Sequence, residues 1–282
     1  MCASGRAVES FLPEAKRVCY DPLAKHFLST KLNILLCKNK YLRNVALALI
    51  EHLLPGGYGE TVVRTKYIDR CLEERIIDGI KQLVILGAGY DSRAYRFPEL
   101  AKEVKVFEVD FPATQEVKIY KIKKIYGSLP SHVVYVSVDF AMEKLDERLF
   151  ECGFDKRLKT LFIWEGVSMY LAAGAVDEML AFVANSSGPG SSIIMDYYFQ
   201  SAIEGTSYSE DARKMREFFQ RRGEPFIFGI NEGNVDKFFS SRGFAQVESV
   251  TGDFLETNYF KKIGRNTKVT CFYGITHAII KS

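Results

Sequence analysis

QLVILGAGYDSR, residues 82–93, joins a short apolar run to a turn that contains two glycines. The run is long enough for a buried β-strand, and Gly87 and Gly89 stand where that strand would end. Because glycine has no Cβ, such a turn lets a ligand approach the main chain closely. A tight turn without a ligand has the same pattern, so this stretch needs support from the rest of the chain.

Further apolar runs of similar length follow the first, with helical segments between them. The predicted strands cover residues 82–87, 105–110, 132–139, 160–165 and 192–197. Apolar residues recur at helical spacing in the segments between them, over residues 112–126, 142–152 and 175–186. Strands that are apolar on both faces and alternate with helices predict a doubly wound, mostly parallel α/β sheet with right-handed crossovers.

The segments on either side of this pattern complete the predicted architecture. Residues 1–80 are predicted to form a helical N-terminal cap, and residues 81–282 a core that contains the sheet. A charged amphipathic helix over 208–222 lies in a predicted insertion at about 200–230, after the fifth strand. Beyond it we predict a helix that Asn231 caps and two antiparallel edge strands, over residues 233–242, 245–251 and 267–280.

Composition narrows the class of protein. The chain has 282 residues, of which 47% are hydrophobic and 26% charged, and its formal net charge is +3. The basic run over 118–124 falls in a predicted helix, so we interpret it as a solvated face and expect no nucleic-acid partner. No signal-peptide core and no run of about 18 uncharged residues is present, which predicts a soluble, cytoplasmic protein without a membrane partner.

Cysteine and histidine do not form a metal-binding pattern. The six cysteines and four histidines are scattered along the chain, without a C-x-x-C pair or a short cluster. We therefore expect neither a disulfide framework nor a metal site.

Acidic residues stand at the ends of the later predicted strands, where open α/β sheets bind their ligands. We expect Asp110 to accept hydrogen bonds from ribose hydroxyls and Asp139 to accept one from an adenine amino group. Glu165 would be costly to bury without a partner, and a ligand ammonium would supply one. As an alternative, Asp110 and Asp139 could cap the helices that follow them.

The glycine turn discriminates between two nucleoside cofactors. A dinucleotide fingerprint has a third glycine near residue 92, where this chain has Ser92 preceded by Asp91. An acidic side chain repels a pyrophosphate and attracts a cation. S-adenosyl-L-methionine carries a sulfonium and an ammonium and no phosphate, so the turn favours this cofactor. A nicotinamide-dependent oxidoreductase and a cofactor-binding module without catalysis remain the alternatives.

Several motifs of the chain resemble the leucine carboxyl methyltransferase family, in its polyketide and mycobacterial branch. They are RTKYID at 64–69, LGAGYDSR at 86–93, FEVDFPATQ at 107–115 and WEGVSMYL at 164–171. DPLA at 21–24 also resembles the N-terminal lid of that family. The resemblance implies a class I, Rossmann-like methyltransferase fold with a helical N-terminal lid, and an S-adenosyl-L-methionine-dependent O-methyltransferase activity.

The resemblance also implies roles for individual residues. Arg64 would pair with the methionine carboxylate of the cofactor, and Tyr170 would face the transferred methyl group. Arg64 and Tyr170 would also orient the methyl acceptor, which makes them the expected catalytic residues. The residues expected to bind the cofactor are Arg64, Gly87, Gly89, Asp91, Asp110, Phe111, Asp139, Phe140 and Glu165.

The expected reaction is an in-line transfer of the methyl group to an oxygen atom. A carboxylate is ionised at neutral pH and needs no base, whereas a phenol, with a pKa of about 10, needs one. No residue of the sequence clearly offers such a base. We therefore expect a carboxylate acceptor, on a small molecule or a peptide C-terminus, with a hydroxyl as the second choice.

Overall fold

The computed structural model describes residues 2–28, 30–139 and 142–281, and in this part of the chain seven strands form one sheet. The strands are β1 (Gln82–Leu86), β2 (Lys105–Asp110), β3 (Val133–Ser137), β4 (Thr160–Trp164), β5 (Ser192–Tyr198), β6 (Phe244–Thr251) and β7 (Tyr273–Ile280). Their order across the sheet is β3-β2-β1-β4-β5-β7-β6. The first five pair in parallel, and β7 is antiparallel to β5 and β6, so the predicted fold class is confirmed.

Helices precede the sheet and cover both of its faces. In chain order they are α1 (Cys2–Ser10), α2 (Ala24–Phe27), α3 (Lys31–Lys38), α4 (Lys40–Leu53), α5 (Gly57–Ile77), α6 (Arg93–Arg96), α7 (Leu100–Glu103), α8 (Pro112–Tyr126), α9 (Leu145–Glu151), α10 (Ala173–Asn185), α11 (Gln200–Glu204), α12 (Glu210–Gln220), α13 (Val235–Ser240) and α14 (Gly252–Leu255). Further short helical segments lie at Glu14–Lys16, Ser168–Tyr170, Glu256–Phe260 and Lys261–Ile263. Among the described residues, no helix is both long and apolar enough to cross a membrane.

The register of the central strands brings their carboxyl ends to one edge of the sheet. Leu86, the last residue of β1, lies beside Val109 of β2 and Trp164 of β4. The residues that follow these strands are therefore neighbours, because parallel strands in register end together. In this way the sheet places the glycine turn between Asp110 and Glu165.

The C-terminal part of the sheet differs from its prediction. Residues 267–280 were expected to form an edge strand, but β7 lies inside the sheet between β5 and β6, and residues 267–272 are not part of it. Asn231 was expected to cap a helix, but its backbone oxygen accepts a hydrogen bond from Asn234 N (3.0 Å) and α13 begins only after that turn. The first error concerns a local pattern whose outcome depends on pairing with distant strands, and the second concerns a turn that delays the start of the helix.

The basic run in α8 is also not a uniformly solvated face. Lys118 is buried and its Nζ lies 2.8 Å from Glu108 Oε1, whereas Lys123 and Lys124 are exposed. The expectation was wrong for Lys118 because a buried carboxylate on β2 stabilises a lysine on the face of α8 that packs against the sheet. Tyr120, counted among the apolar residues of the same helix, is exposed instead.

The stability of the sheet core can be tested at Phe162. Its ring is buried in β4 and makes edge contacts with Phe154 and Phe182. We expect Phe162→Ala to lower the free energy of unfolding by about 3–5 kcal/mol, because it leaves a cavity among rigid neighbours. Urea denaturation measures the change. Phe254→Ala, at an exposed position, is the control and should change that free energy by about 0.5 kcal/mol or less; equal losses in the two variants would contradict the assigned packing.

Candidate active site

The turn after β1 depends on its two glycines for different reasons. Gly87 and Gly89 have φ angles of 67° and 40°, a backbone region that side chains with a Cβ rarely adopt. A Cβ added to Gly87 would also lie 2.4 Å from Val167 Cγ2, whereas one added to Gly89 would have no contact closer than 3.8 Å. Gly87 therefore brings the turn after β4 directly against the turn after β1.

Asp110 is tied to the same glycine turn. Its Oδ2 accepts a hydrogen bond from the Gly89 main-chain N–H, and its Oδ1 accepts one from Phe111 N at 2.7 Å. Helix α8 has no side-chain cap, so Asp110 does not act as the helix cap that was its alternative role. The Phe111 ring beside it is half-exposed.

Asp139 follows β3 at the same edge of the sheet. Its backbone oxygen accepts hydrogen bonds from Met142 N and Glu143 N, and its backbone N–H donates to Glu143 Oε2 at 2.9 Å. These bonds close a turn after β3. The expected neighbour in the adenine site, Phe140, lies outside the described residues.

Glu165 is held between two buried arginines. Its Oε1 lies 2.9 Å from Arg64 Nε, and its Oε2 accepts a hydrogen bond from Arg93 Nη1 at 2.7 Å. Arg93 also pairs with both oxygens of Asp91 and donates from Nε to Asp69 Oδ1 at 2.8 Å. The carboxylate of Asp91 is therefore neutralised by Arg93, which sequence reasoning did not anticipate.

Asp196 completes this cluster, and sequence reasoning missed it. It lies fully buried in β5, where its Oδ2 accepts from Arg64 Nη1 at 2.8 Å and its Oδ1 accepts from Gly166 N at 2.7 Å. The Tyr273 hydroxyl donates to the same carboxylate at 3.2 Å. One signal was present in the sequence: a charged residue inside an otherwise apolar strand requires a partner.

Helix α1 covers the cluster from outside the sheet. Arg6 Nε donates to Asp21 Oδ2 at 2.8 Å, and Arg6 Nη2 donates to the Tyr90 carbonyl at 2.5 Å. At the start of the helix, Cys2 Sγ lies 3.0 Å from Arg64 Nη2. The N-terminal helix therefore contributes side chains to the site, although no motif of the sequence indicated them.

Two cavities open on either side of the contact between Gly87 and Val167. The first, of about 240 Å³, is lined by the glycine turn, Arg64, Glu165 and residues of α1. The second, of about 510 Å³, is largely apolar and lies between Trp164, α10 and the segment before α9. The walls of neither cavity include Tyr170, whose ring packs edge-on against Phe226 with 5.1 Å between the ring centres.

The charges around Glu165 control its protonation. Burial alone would raise the pKa of this carboxyl group, but Arg93, Arg64 and Arg6 together lower the pKa to about 2. For Asp196, burial outweighs the arginine and raises the pKa above its ordinary value. Glu165 is consequently a carboxylate at neutral pH, as an ammonium-binding group has to be.

The sheet order, with an antiparallel β7 between β5 and β6 and a glycine turn at the carboxyl edge, defines the class I methyltransferase fold. Solved structures agree: a candidate methyltransferase from Thermobifida fusca superimposes with a TM-score of 0.58 at 13% identity, covering 99% of this chain and 94% of its own. A DUF574 family protein from Streptomyces avermitilis gives a TM-score of 0.59 at 10% identity, covering 99% and 97%.

The chain belongs to the leucine carboxyl methyltransferase family, which it matches over residues 1–184. The candidate S-adenosyl-L-methionine-dependent methyltransferase YktD of Bacillus subtilis is 31% identical over 222 residues, which cover 78% of this chain and 72% of YktD. The candidate methyltransferase SCO7813 of Streptomyces coelicolor is 36% identical over 145 residues, about half of each chain (51% and 50%). The chain is thus an S-adenosyl-L-methionine-dependent methyltransferase, and neither the oxidoreductase nor the non-catalytic alternative is favoured.

Replacing Glu165 should change how stability depends on pH. The pKa of its carboxyl group falls from 4.5 to about 2 on folding, so this carboxylate stabilises the fold above pH 4.5 and loses that effect as the pH falls towards 2. We therefore expect the difference in unfolding free energy between wild type and Glu165→Gln to be largest near neutral pH and to shrink as the solution is acidified. Urea denaturation at a series of pH values measures it.

The exposed Glu232 provides the control for this series. Glu232→Gln removes a carboxylate without breaking an ion pair, and it should reproduce the wild-type profile. A difference between wild type and Glu165→Gln that stays constant from neutral to acid pH would show that Glu165 does not have the depressed pKa assigned to it.

Proposed function

We propose that this methyltransferase transfers the methyl group to an oxygen atom, with its cofactor along the carboxyl edge of the sheet from the glycine turn to Glu165. The observation that carries the cofactor position is the pairing of Arg64 with Glu165 beside Gly87. A buried arginine next to a buried carboxylate can bind the carboxylate and the ammonium of one amino acid at the same time.

The charge of the cluster supports this cofactor. The ion pairs around Glu165 and the neighbouring pair of Arg6 with Asp21 together contain one more carboxylate than arginine. Their members are Arg6, Arg64, Arg93, Arg96, Asp21, Asp69, Asp91, Glu165 and Asp196. S-adenosyl-L-methionine has a sulfonium, an ammonium and one carboxylate, and therefore one net positive charge. With all groups of the cluster ionised, the cofactor neutralises the excess carboxylate.

Particular atoms of the cluster are available to a ligand. Arg64 Nε already lies 2.9 Å from Glu165 Oε1, whereas Arg64 Nη2 lies 3.0 Å from the thiol of Cys2, a weak acceptor that a ligand carboxylate can replace. In our proposal the methionine carboxylate takes the Nη2 donor of Arg64, and the ammonium of the cofactor binds to Glu165. Asp91 contributes through Arg93, by holding that arginine against Glu165.

The nucleoside is proposed to extend towards β2 and β3. Each oxygen of Asp110 accepts one main-chain hydrogen bond and has a second lone pair free for a ribose hydroxyl. The half-exposed ring of Phe111 can flank the adenine, and Asp139 with Phe140 is the proposed adenine end of the site. These groups lie at the same edge of the sheet, because they follow adjacent parallel strands.

The N-terminal cap and the insertion are proposed to close the site and to shape the acceptor pocket. We assign residues 1–80 to the cap and residues 81–282 to the core. Helix α1 of the cap supplies Cys2 and Arg6 to the cavity wall. In the insertion at about 200–230, Ile227 N donates to the Met169 carbonyl at 2.8 Å, and Phe226 packs on Tyr170. The insertion therefore lies against the turn that follows Glu165.

Tyr170 is the proposed acceptor-facing catalytic residue, together with Arg64. Burial, followed by the nearby Glu224 carboxylate, raises the pKa of Tyr170, so its hydroxyl is a hydrogen-bond donor at neutral pH. Bound S-adenosyl-L-methionine supplies an electrophilic methyl group on sulfur. Tyr170 would then hold the acceptor oxygen in line with that group, and a dry site would strengthen the hydrogen bond.

A carboxylate is the first candidate acceptor. The name of the family refers to a carboxyl group, and a carboxylate is ionised at neutral pH and needs no base. One observation favours a hydroxyl as the second candidate. Glu60 is buried, its pKa is raised by burial, and its Oε1 accepts a hydrogen bond from the Tyr198 hydroxyl at 2.6 Å. This pair can take up a proton, so the sequence argument that no base is available does not extend to the folded protein.

Calorimetry tests the proposed position of the cofactor. We expect wild type to bind S-adenosyl-L-methionine and S-adenosylhomocysteine but not NAD, and Asp110→Asn to raise the Kd for S-adenosylhomocysteine about tenfold, because a hydrogen bond to a charged acceptor is lost. Asp253→Asn, at an exposed position outside the site, is the matched control and should bind like wild type. Unchanged binding by Asp110→Asn, or binding of NAD alone, would contradict the assignment.

The release of S-adenosylhomocysteine in the presence of a panel of carboxylic acids and phenols identifies the acceptor. If the acceptor is a carboxylate, we expect a rate of methyl transfer that does not change with pH around neutrality. We expect the Tyr170→Phe variant to have a kcat about tenfold lower than wild type, with an unchanged KM for the cofactor. A Tyr170→Phe variant with wild-type turnover would remove Tyr170 from the catalytic residues. A rate that rises with pH and falls about a hundredfold in Glu60→Gln would select the hydroxyl.

A further inference from the structure

An ion pair is buried beneath the glycine turn, outside the walls of both cavities. Lys118 is 1% exposed and Glu108 is fully buried. Lysine Nζ and glutamate Oε1 are 2.8 Å apart. Lysine and glutamate are almost never fully buried without a partner, and even a buried pair contributes little net stability compared with apolar side chains of similar volume. The pair therefore calls for an explanation other than stability.

The two side chains connect three segments that carry the proposed cofactor contacts. Lys118 Nζ donates to the carbonyl of Ala88, between the two glycines, at 3.4 Å. Glu108 Oε2 accepts from the Tyr95 hydroxyl at 2.9 Å, and Tyr95 lies in α6 with Arg93. Glu108 itself stands in β2, two residues before Asp110.

Two donors restrain the glycine turn at the Ala88 carbonyl: the main-chain N–H of Asp91 at 2.7 Å and Lys118 Nζ at 3.4 Å. Because Gly87 and Gly89 flank Ala88, the peptide groups around that residue can rotate at little steric cost. Rotation of the Ala88 carbonyl would turn the next N–H, that of Gly89, away from the carboxylate of Asp110. The Asp91 N–H opposes this rotation, and the buried cation of Lys118 adds a charged donor to the same oxygen.

We propose that Lys118 and Glu108 are positioning residues for cofactor binding. Lys118 keeps the Ala88 carbonyl directed into the protein, so that Gly89 N–H stays on Asp110 and the ribose-binding carboxylate keeps its orientation. Glu108 neutralises Lys118 and, through Tyr95, ties α6 to the same point. This inference rests on the proposed cofactor position along the glycine turn and Asp110.

The test separates cofactor affinity from stability. We expect Lys118→Met to lower the midpoint of thermal unfolding, since Glu108 remains buried without its cation. The Kd for S-adenosylhomocysteine should rise about tenfold, measured by calorimetry. In Lys118→Met/Glu108→Gln the unpaired charge is gone as well. This double variant should regain most of the lost thermal midpoint, while its Kd stays about tenfold above wild type.

Lys124→Met makes the same change at an exposed position of α8 and should leave both measurements at their wild-type values. A double variant that binds S-adenosylhomocysteine as tightly as wild type would overturn the proposal, because the pair would then be structural only. If neither Lys118 variant folds, Tyr95→Phe provides the test, because it removes one hydrogen-bond donor from Glu108. We expect this variant to raise the Kd for S-adenosylhomocysteine about threefold, and an unchanged Kd would contradict the proposal. Wild-type protein that fails to bind S-adenosylhomocysteine would instead overturn the proposed function.

Discussion

The ion pairs of Arg64 with Glu165 and Asp196 are the interaction on which the rest of the site depends. They join α5 to the ends of β4 and β5, and Asp196 also accepts from the main chain of Gly166. Buried charges are tolerated only when each has a partner, so removing Arg64 would leave the buried carboxylate of Asp196 without its cation. The sheet edge is therefore rigid where the proposed cofactor has to be aligned.

The parts of the fold and site that the sequence predicted are those that follow from strand ends. The first five predicted strands are observed, with bounds that differ by at most two residues. Once parallel strands are in register, Gly87, Asp110 and Glu165 have to meet at one edge, whatever the helices do. A local pattern is sufficient here because each residue is placed by its own strand.

The parts that could not be predicted depend on contacts between distant segments. Arg6 reaches the site because α1 folds back over Tyr90, and no periodicity in α1 indicates that. Lys118 looked solvated because its partner, Glu108, lies on a different segment, between the apolar residues Phe107 and Val109 of β2. β7 likewise lies inside the sheet because it pairs with β5. This pairing leaves no recognisable pattern in the sequence of β7.

In our proposal, cofactor and acceptor are recognised by different parts of the chain, and this limits what family membership implies. The match to the family covers residues 1–184, which include the glycine turn, Asp110 and Glu165. Tyr198 and Phe226, which pack with Tyr170 into one aromatic group, lie beyond that range. We propose that selection among acceptors comes from that aromatic group and from the insertion that carries Phe226. Relatives can therefore share the cofactor site and still methylate different molecules.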